Sequence, residues 1–391
     1  MINIYNKIMR NYVNNIKSFV QSEAFCGVLL CLCASLAILI VNSRFHYIHQ
    51  YIFDKNLFRT NISGHFLVND VLMSFFFLQV GIELRHELKY GALAKIKHAL
   101  LPLIAAFGGV LVPAVIYISL NHSAHLIRGW AIPTATDIAF AIGIYSILHN
   151  KFPRNLRIIL LSIAIIDDIL AILIIALFYS NTIALLPLVC SFIITIIFYF
   201  MNTKFTNKFL LCIAFFALWL SFFKAGIHPT LSGVIIGLLT KQKTPFIHNH
   251  GFLHFLNLIV SFLIMPIFSL ANANISFDAI NLANSENIKL IFGIMAALII
   301  GKPLGIFTAG FFGIKLGFCH LPQSVNLKHL LFISLLSGIG FTMALFTILL
   351  SFSNNDSIQS AKIGVTFGSL VAAIIGLLYG YFMAKRNQNN V

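Results

Sequence analysis

Charge is what this sequence is short of: only 9% of its 391 residues are Asp, Glu, Lys or Arg, against about 25% in a typical water-soluble domain. A soluble surface cannot be built from so little. With 59% of the residues hydrophobic, the solvent for most of the chain must be lipid. Acids are the scarcest group, eleven against 26 Lys and Arg, for a formal net charge of +15. Such an excess suits nucleic acid only when the basic residues cluster on a soluble module, and here they are scattered between apolar runs, so no nucleic-acid partner is expected. Cysteine is sparse too. The six (Cys26, Cys31, Cys33, Cys190, Cys212 and Cys319) form no CxxC pair and have no companion histidine at metal spacing, which excludes a disulfide framework and leaves them as small apolar filler. There is also no hydrophilic stretch long enough for a soluble domain, and the longest external connection, 42 to 65, is mixed polar and aromatic. Function must therefore reside in the membrane. The first apolar run, from Glu23, lacks a small-residue cleavage site and is read as a retained span.

Apolar runs able to cross a bilayer fall near 23 to 41, 66 to 83, 99 to 118, 129 to 148, 158 to 178 and 183 to 200. Six more lie near 209 to 223, 229 to 240, 253 to 274, 290 to 311, 330 to 352 and 363 to 383. The expected fold is an all-α membrane protein of twelve transmembrane helices. The connections on one side then hold eighteen of the 26 Lys and Arg residues and those on the other hold seven, while Lys302 lies within a span. By the positive-inside rule both termini are cytoplasmic.

Most acids sit at span ends or in loops, and Asp70 lies near the start of the second span. Asp137, Asp167 and Asp168 fall well inside the fourth and fifth spans. Each costs roughly 2.5 to 3.5 kcal/mol at the centre of a membrane helix, so three carry a penalty on the order of 8 to 10 kcal/mol. Lys302 alone cannot neutralise three carboxylates; at least two must be protonated, hydrated or bound to a cation. Neighbours on a helix, Asp167 and Asp168 project about 100° apart, so one can face partner helices while the other faces a cavity. Two carboxylates this close repel when both are ionised. A proton on one relieves that, and so does a hard cation that prefers oxygen ligands. Sodium and protons would then compete for the same oxygens.

Two spans carry helix-breaking signals. Pro133, flanked by Thr134 and Thr136, should interrupt the fourth just before Asp137, and Gly338 and Gly340, with Ser337 and Thr342, should interrupt the eleventh. Each is the middle of a triplet, helices 3–5 and 10–12, and the two triplets run in opposite directions, the pattern of inverted-topology repeats. Asp137 and Lys302 have signs suited to compensating the dipole ends that meet there.

The motifs AIPTATDIAFAIG, AIIDDILAI, IGKPLGI and GIGFTMALF, together with FFFLQVGIELRHEL, KAGIHPTLSGVIIG and MPIFSLANA in the same order, resemble the NhaA type of sodium/proton antiporter across almost the whole chain. That family is itself a known example of inverted repeats. The resemblance implies a multi-pass protein of the bacterial inner membrane, not an enzyme, that exports sodium or lithium in exchange for two protons, electrogenically and without organic cofactor. Asp168 matches the principal cation ligand, Asp167 a proton carrier or partner of Lys302, and Thr136 and Asp137 the crossing of the broken helices. Whether Lys302 carries a proton or serves only as counter-charge stays open. Also implied are a transport core of approximately 99–178 and 290–383, a dimerisation panel of approximately 23–83 and 183–274 within one polytopic domain, and a homodimer joined through the 42 to 65 connection. For pH response the matching positions are Glu83, Glu87, His228 and His254; His86 stands where a permanently charged base is common, and Leu253 where regulated relatives carry an acid.

Two other classes compete. An intramembrane aspartyl hydrolase needs facing aspartates, whereas Asp167 and Asp168 are adjacent and no Asp follows the glycines of GIGF. A channel needs a continuous polar pore, whereas polar groups here concentrate at the middles of two triplets.

Overall fold

The structure is a computed structural model describing residues 23–56, 62–148, 151–179, 184–204, 208–240, 250–277 and 284–389. Among the described residues there is no strand, only one isolated antiparallel bridge, Asn56 to Ser63. The helices are α1 (Glu23–Val41), α2 (Gly64–Lys89), α3 (Ile96–Leu120), α4 (Ile138–Leu148), α5 (Arg154–Phe178), α6 (Leu185–Lys204), α7 (Lys208–Ala225) and α8 (Leu231–Leu239). A ninth, α9, runs from His250 through Ile259 and, past a π turn, on to Asn272; then follow α10 (Ser285–Lys315), α11 (Leu327–Ser337), α12 (Phe341–Ser351) and α13 (Asn355–Asn389). Among the described residues seven helical stretches, with Ile127–Leu148 taken as one, are long and apolar enough to cross a membrane, or up to nine if Phe25–Val41 is joined to His46–Asp54 and α11 to α12. Every apolar run of the sequence falls on helix, but α8, at nine residues, is too short to span alone.

Large apolar side chains cover the outside. Ile96, Leu177, Leu185 and Leu186 are each more than three-quarters exposed, which only a lipid solvent tolerates at this density. Within, Phe77, Phe268 and Phe346 lock α2, α9 and α12 together, with ring centroids 5.6 and 6.4 Å apart.

Two long helices widen into π turns one step ahead of a proline: Val260–Ile264 precedes Pro266 and Ala297–Gly301 precedes Pro303. Proline cannot donate to the turn behind it and its ring crowds that turn, so a locally wider turn lets the helix continue. Lys302 thus begins a fresh helical segment inside α10.

Helices α3 and α10 approach at backbone distance. A Cβ placed on Gly305 would lie 2.1 Å from the Gly108 carbonyl oxygen, and one on Gly108 2.3 Å from that of Gly305. Only glycine at both positions permits this contact, which fixes the height of Lys302 against α5.

The fourth apolar run is not one helix. A 3-10 segment, Ile127–Thr134, ends at Pro133-Thr134; Ala135 turns extended, with ψ 150°, and α4 starts at Ile138. Likewise α11 and α12 are separated by Gly338–Gly340 and bent by 47°. The two interruptions touch. Asp137 N donates to Ile339 O at 2.7 Å, and Thr136 Oγ1 lies 3.2 Å from Ser337 O.

Lys362 is buried although it precedes the last apolar run. Tallied with an outer connection, it lies instead one turn and more inside α13 and is only 3% exposed, so Lys302 is not the sole buried base.

Candidate functional site

The chain endings at the two interruptions leave unpaired backbone groups, and side chains from elsewhere satisfy them. Asp137 acts as a double cap. One carboxylate oxygen accepts from Phe140 N at 3.1 Å, closing the first turn of its own α4, and the other accepts from Thr342 N at 2.9 Å and Thr342 Oγ1 at 2.5 Å, closing the first turn of α12. Two positive helix ends therefore converge on one negative charge. At the opposite polarity, the Lys302 ammonium donates to Thr134 O at 2.6 Å, capping the carbonyl end of the 3-10 segment.

The same ammonium stands 3.2 Å from Asp167 Oδ2, with both side chains fully buried. Thr136 Oγ1 donates to that oxygen at 2.6 Å. Asp167 is thus held by a base and a hydroxyl, although its Oδ1 accepts nothing among the described residues. Asp168 differs. It is equally buried, and neither carboxylate oxygen accepts a hydrogen bond among the described residues. It lines a cavity of about 330 Å³ together with Thr136, Asp137, Thr342, Gln79, Glu83 and Asn257.

The charge balance of this nest follows from those contacts. Lys302 offsets Asp167, and two helix ends offset Asp137. Among the described residues Asp168 has no such partner, and it shares its cavity with another acid, Glu83, so a proton, a cation or water in the cavity must compensate it. Oxygens of Asp168, Asp137 and the hydroxyls of Thr136 and Thr342 form a donor set of the hard, all-oxygen type that suits a small alkali cation.

Of the residues singled out in the sequence, Thr136, Asp137, Asp167, Asp168 and Lys302 come together, and Pro133, Gly338 and Gly340 lie at the interruptions that bring them there. Glu83 reaches the cavity, where Gln79 Nε2 donates to its Oε1 at 2.9 Å. Glu87 does not: its Oε2 accepts from Ala92 N at 2.9 Å and closes the turn after α2. His86 is half-exposed and 3.9 Å from Glu87. His228 stands apart from the nest, bonded to Thr230 Oγ1 at 2.7 Å and 3.6 Å from Asp70. The side chain of His254 lies outside the described residues. Sequence reading undervalued Thr342, which makes two of the three bonds to Asp137, and passed over Gln79 and Asn257. Polar amides inside the second and ninth apolar runs were the available signal.

Comparison with known proteins places this chain in a family. The chain is 38% identical to the Na(+)/H(+) antiporter NhaA of Bartonella henselae, over 98% of this chain and 96% of the relative. It is 40% identical to that of Vibrio vulnificus, over 92% and 94%, and 39% identical to that of Aliivibrio salmonicida, over 93% and 96%. The family model described as Na+/H+ antiporter 1 matches residues 17–379, and the chain belongs to that family.

Proposed function

We propose that this protein is an electrogenic secondary antiporter of the bacterial inner membrane that exports Na+, or Li+, in exchange for protons, two per cation. The observation that carries the reading is the asymmetry of the adjacent pair: Asp167 is bonded to Lys302 and Thr136, while Asp168 presents two unbonded carboxylate oxygens to a cavity. Asp168 accepts either a proton or the cation, and a cation arriving there raises the negative-charge demand on Asp167, loosening its hold on the neighbouring proton or on Lys302. Asp167 or Lys302 supplies the second proton. Competition for one set of oxygens couples the two flows, provided access to the site alternates between sides.

In this reading twelve spans cross the membrane with both termini cytoplasmic. The segment before α4 joined to α4 forms one broken span, α11 joined to α12 the other, and the triplets 3–5 and 10–12 form inverted repeats. The transport core is approximately 99–178 and 290–383, and approximately 23–83 and 183–274 form the panel, through which two copies pair. The Glu83 end of the cavity, on the side richer in Lys and Arg, is then the cytoplasmic mouth. Charges at that mouth gate activity by pH, with His86, 3.9 Å from Glu87, setting the profile.

Proteoliposomes enclosing a pH-sensitive dye test the proposal. Added Na+ or Li+ should drive proton movement against an imposed gradient, and Asp168→Asn should abolish it. Proton flux indifferent to sodium, or an ungated current, would refute exchange.

A further inference from the structure

A second polar cavity, of about 640 Å³, lies away from the aspartates, between the end of α1, the 42 to 65 connection, the chain after α9 and the start of α13. Its lining includes Lys362, Gln359, Asn274, His46, His49 and His65. The Lys362 ammonium is buried, and among the described residues it makes no ion pair, bonding only to the Asn274 side-chain oxygen. The one carboxylate lining the cavity among the described residues, Asp54, lies 3.0 Å from His65 and outside ion-pair distance of Lys362.

Each amide oxygen around Lys362 already accepts one hydrogen bond. Asn274 Oδ1 takes the lysine, Gln359 Oε1 takes Ser276 N at 3.2 Å, and Asn42 Oδ1 takes Phe277 N at 2.9 Å. Lining the same cavity, the other ammonium protons and the NH2 groups of Asn274 and Gln359 donate to nothing among the described residues. His49 Nε2 is likewise committed, to Leu270 O at 3.1 Å. A site rich in unspent N–H groups and one buried positive charge fits an acceptor-only, negatively charged ligand. The volume exceeds a single halide and suits a headgroup-sized oxyanion. Exposed Tyr47 and Tyr51 on the adjoining connection are of the type enriched at membrane interfaces, where phosphate groups are concentrated.

We infer that this cavity binds a phosphate group, held by Lys362 with the side-chain amides of Gln359 and Asn274. The test uses the purified full-length protein and two probes, inorganic phosphate and phosphatidylglycerol, with chloride at matched ionic strength and phosphatidylcholine as controls. Thermal unfolding should shift upward saturably with at least one probe. A shift with phosphatidylglycerol alone assigns a lipid headgroup, and a shift with inorganic phosphate assigns the free ion as a ligand. Lys362→Gln should weaken binding by about ten-fold or more, the loss of one charge-assisted bond, and Lys362→Arg should retain it. Gln359→Glu, which keeps size and the acceptor for Ser276 N, should repel either probe, and it decides the matter should Lys362→Gln fail to fold. Neither probe shifting the wild type, or Gln359→Glu responding as the wild type does, overturns the assignment.

Discussion

Gly305→Ala puts the packing behind the ion pair to the test. The new Cβ would sit 2.1 Å from the Gly108 carbonyl oxygen, so α3 and α10 must part by about 1 Å locally to reach ordinary contact. Neither helix is free to do so cheaply: Gly109 next door is packed on Ile306, where a Cβ would come within 2.7 Å. Lys302 lies nearly one turn from Gly305, so a 1 Å displacement would stretch its 3.2 Å contact with Asp167 to the edge of the ion-pair range. Overpacking costs about 1 to 3 kcal/mol, and about 1 kcal/mol returns because alanine is the better helix former. The unfolding temperature should therefore fall only slightly while transport falls steeply. Gly27→Ala is the control, since its Cβ would meet nothing closer than 3.6 Å. Melting in detergent and dye-monitored exchange in proteoliposomes read both effects. Wild-type transport in Gly305→Ala, or equal damage from Gly27→Ala, would refute the reasoning.

Three further outcomes are expected. Lys302→Met strands Asp167 without its base and should cost about 3 to 5 kcal/mol, while adding Asp167→Asn should recover much of it; strictly additive melting-temperature losses would contradict the pairing. Thr342→Val removes the hydroxyl bonded to Asp137 and should destabilise by about 1.5 to 3 kcal/mol, with Thr342→Ser close to wild type in thermal unfolding. His86→Arg fixes a positive charge beside Glu87 and should displace the pH profile of exchange, whereas coincident profiles for the two proteins would remove His86 from the gate.

Much of this architecture is visible in the sequence because lipid enforces it. Apolar runs mark the helices, and the cost of charge in hydrocarbon makes Asp137, Asp167, Asp168 and Lys302 conspicuous against their neighbours. Partner choice is a different matter. Nothing in local pattern says that Asp137 will cap a helix beginning at Phe341 or that Lys302 will reach Thr134 O, because those contacts join segments some 200 and 170 positions apart and are set by how the interruptions cross. The π turns of α9 and α10 are equally silent, arising where Pro266 and Pro303 meet helices that packing forces to continue. Lys362 is buried rather than exposed in a loop because α13 starts at Asn355, before its apolar run, and Ser357, Gln359, Ser360 and Lys362 turn inward. Glu87 shows the converse, an acid beside a charged cluster whose carboxylate is occupied with a turn.

The central claim is that cation and proton compete for the same carboxylates, and the most direct measurement is proton release on cation binding to the purified protein in weakly buffered detergent. Sodium chloride should acidify the solution saturably, choline chloride should not, and Asp168→Asn should release nothing. Equal release from wild type and Asp168→Asn, or none from a wild type that still exchanges ions, would contradict the account.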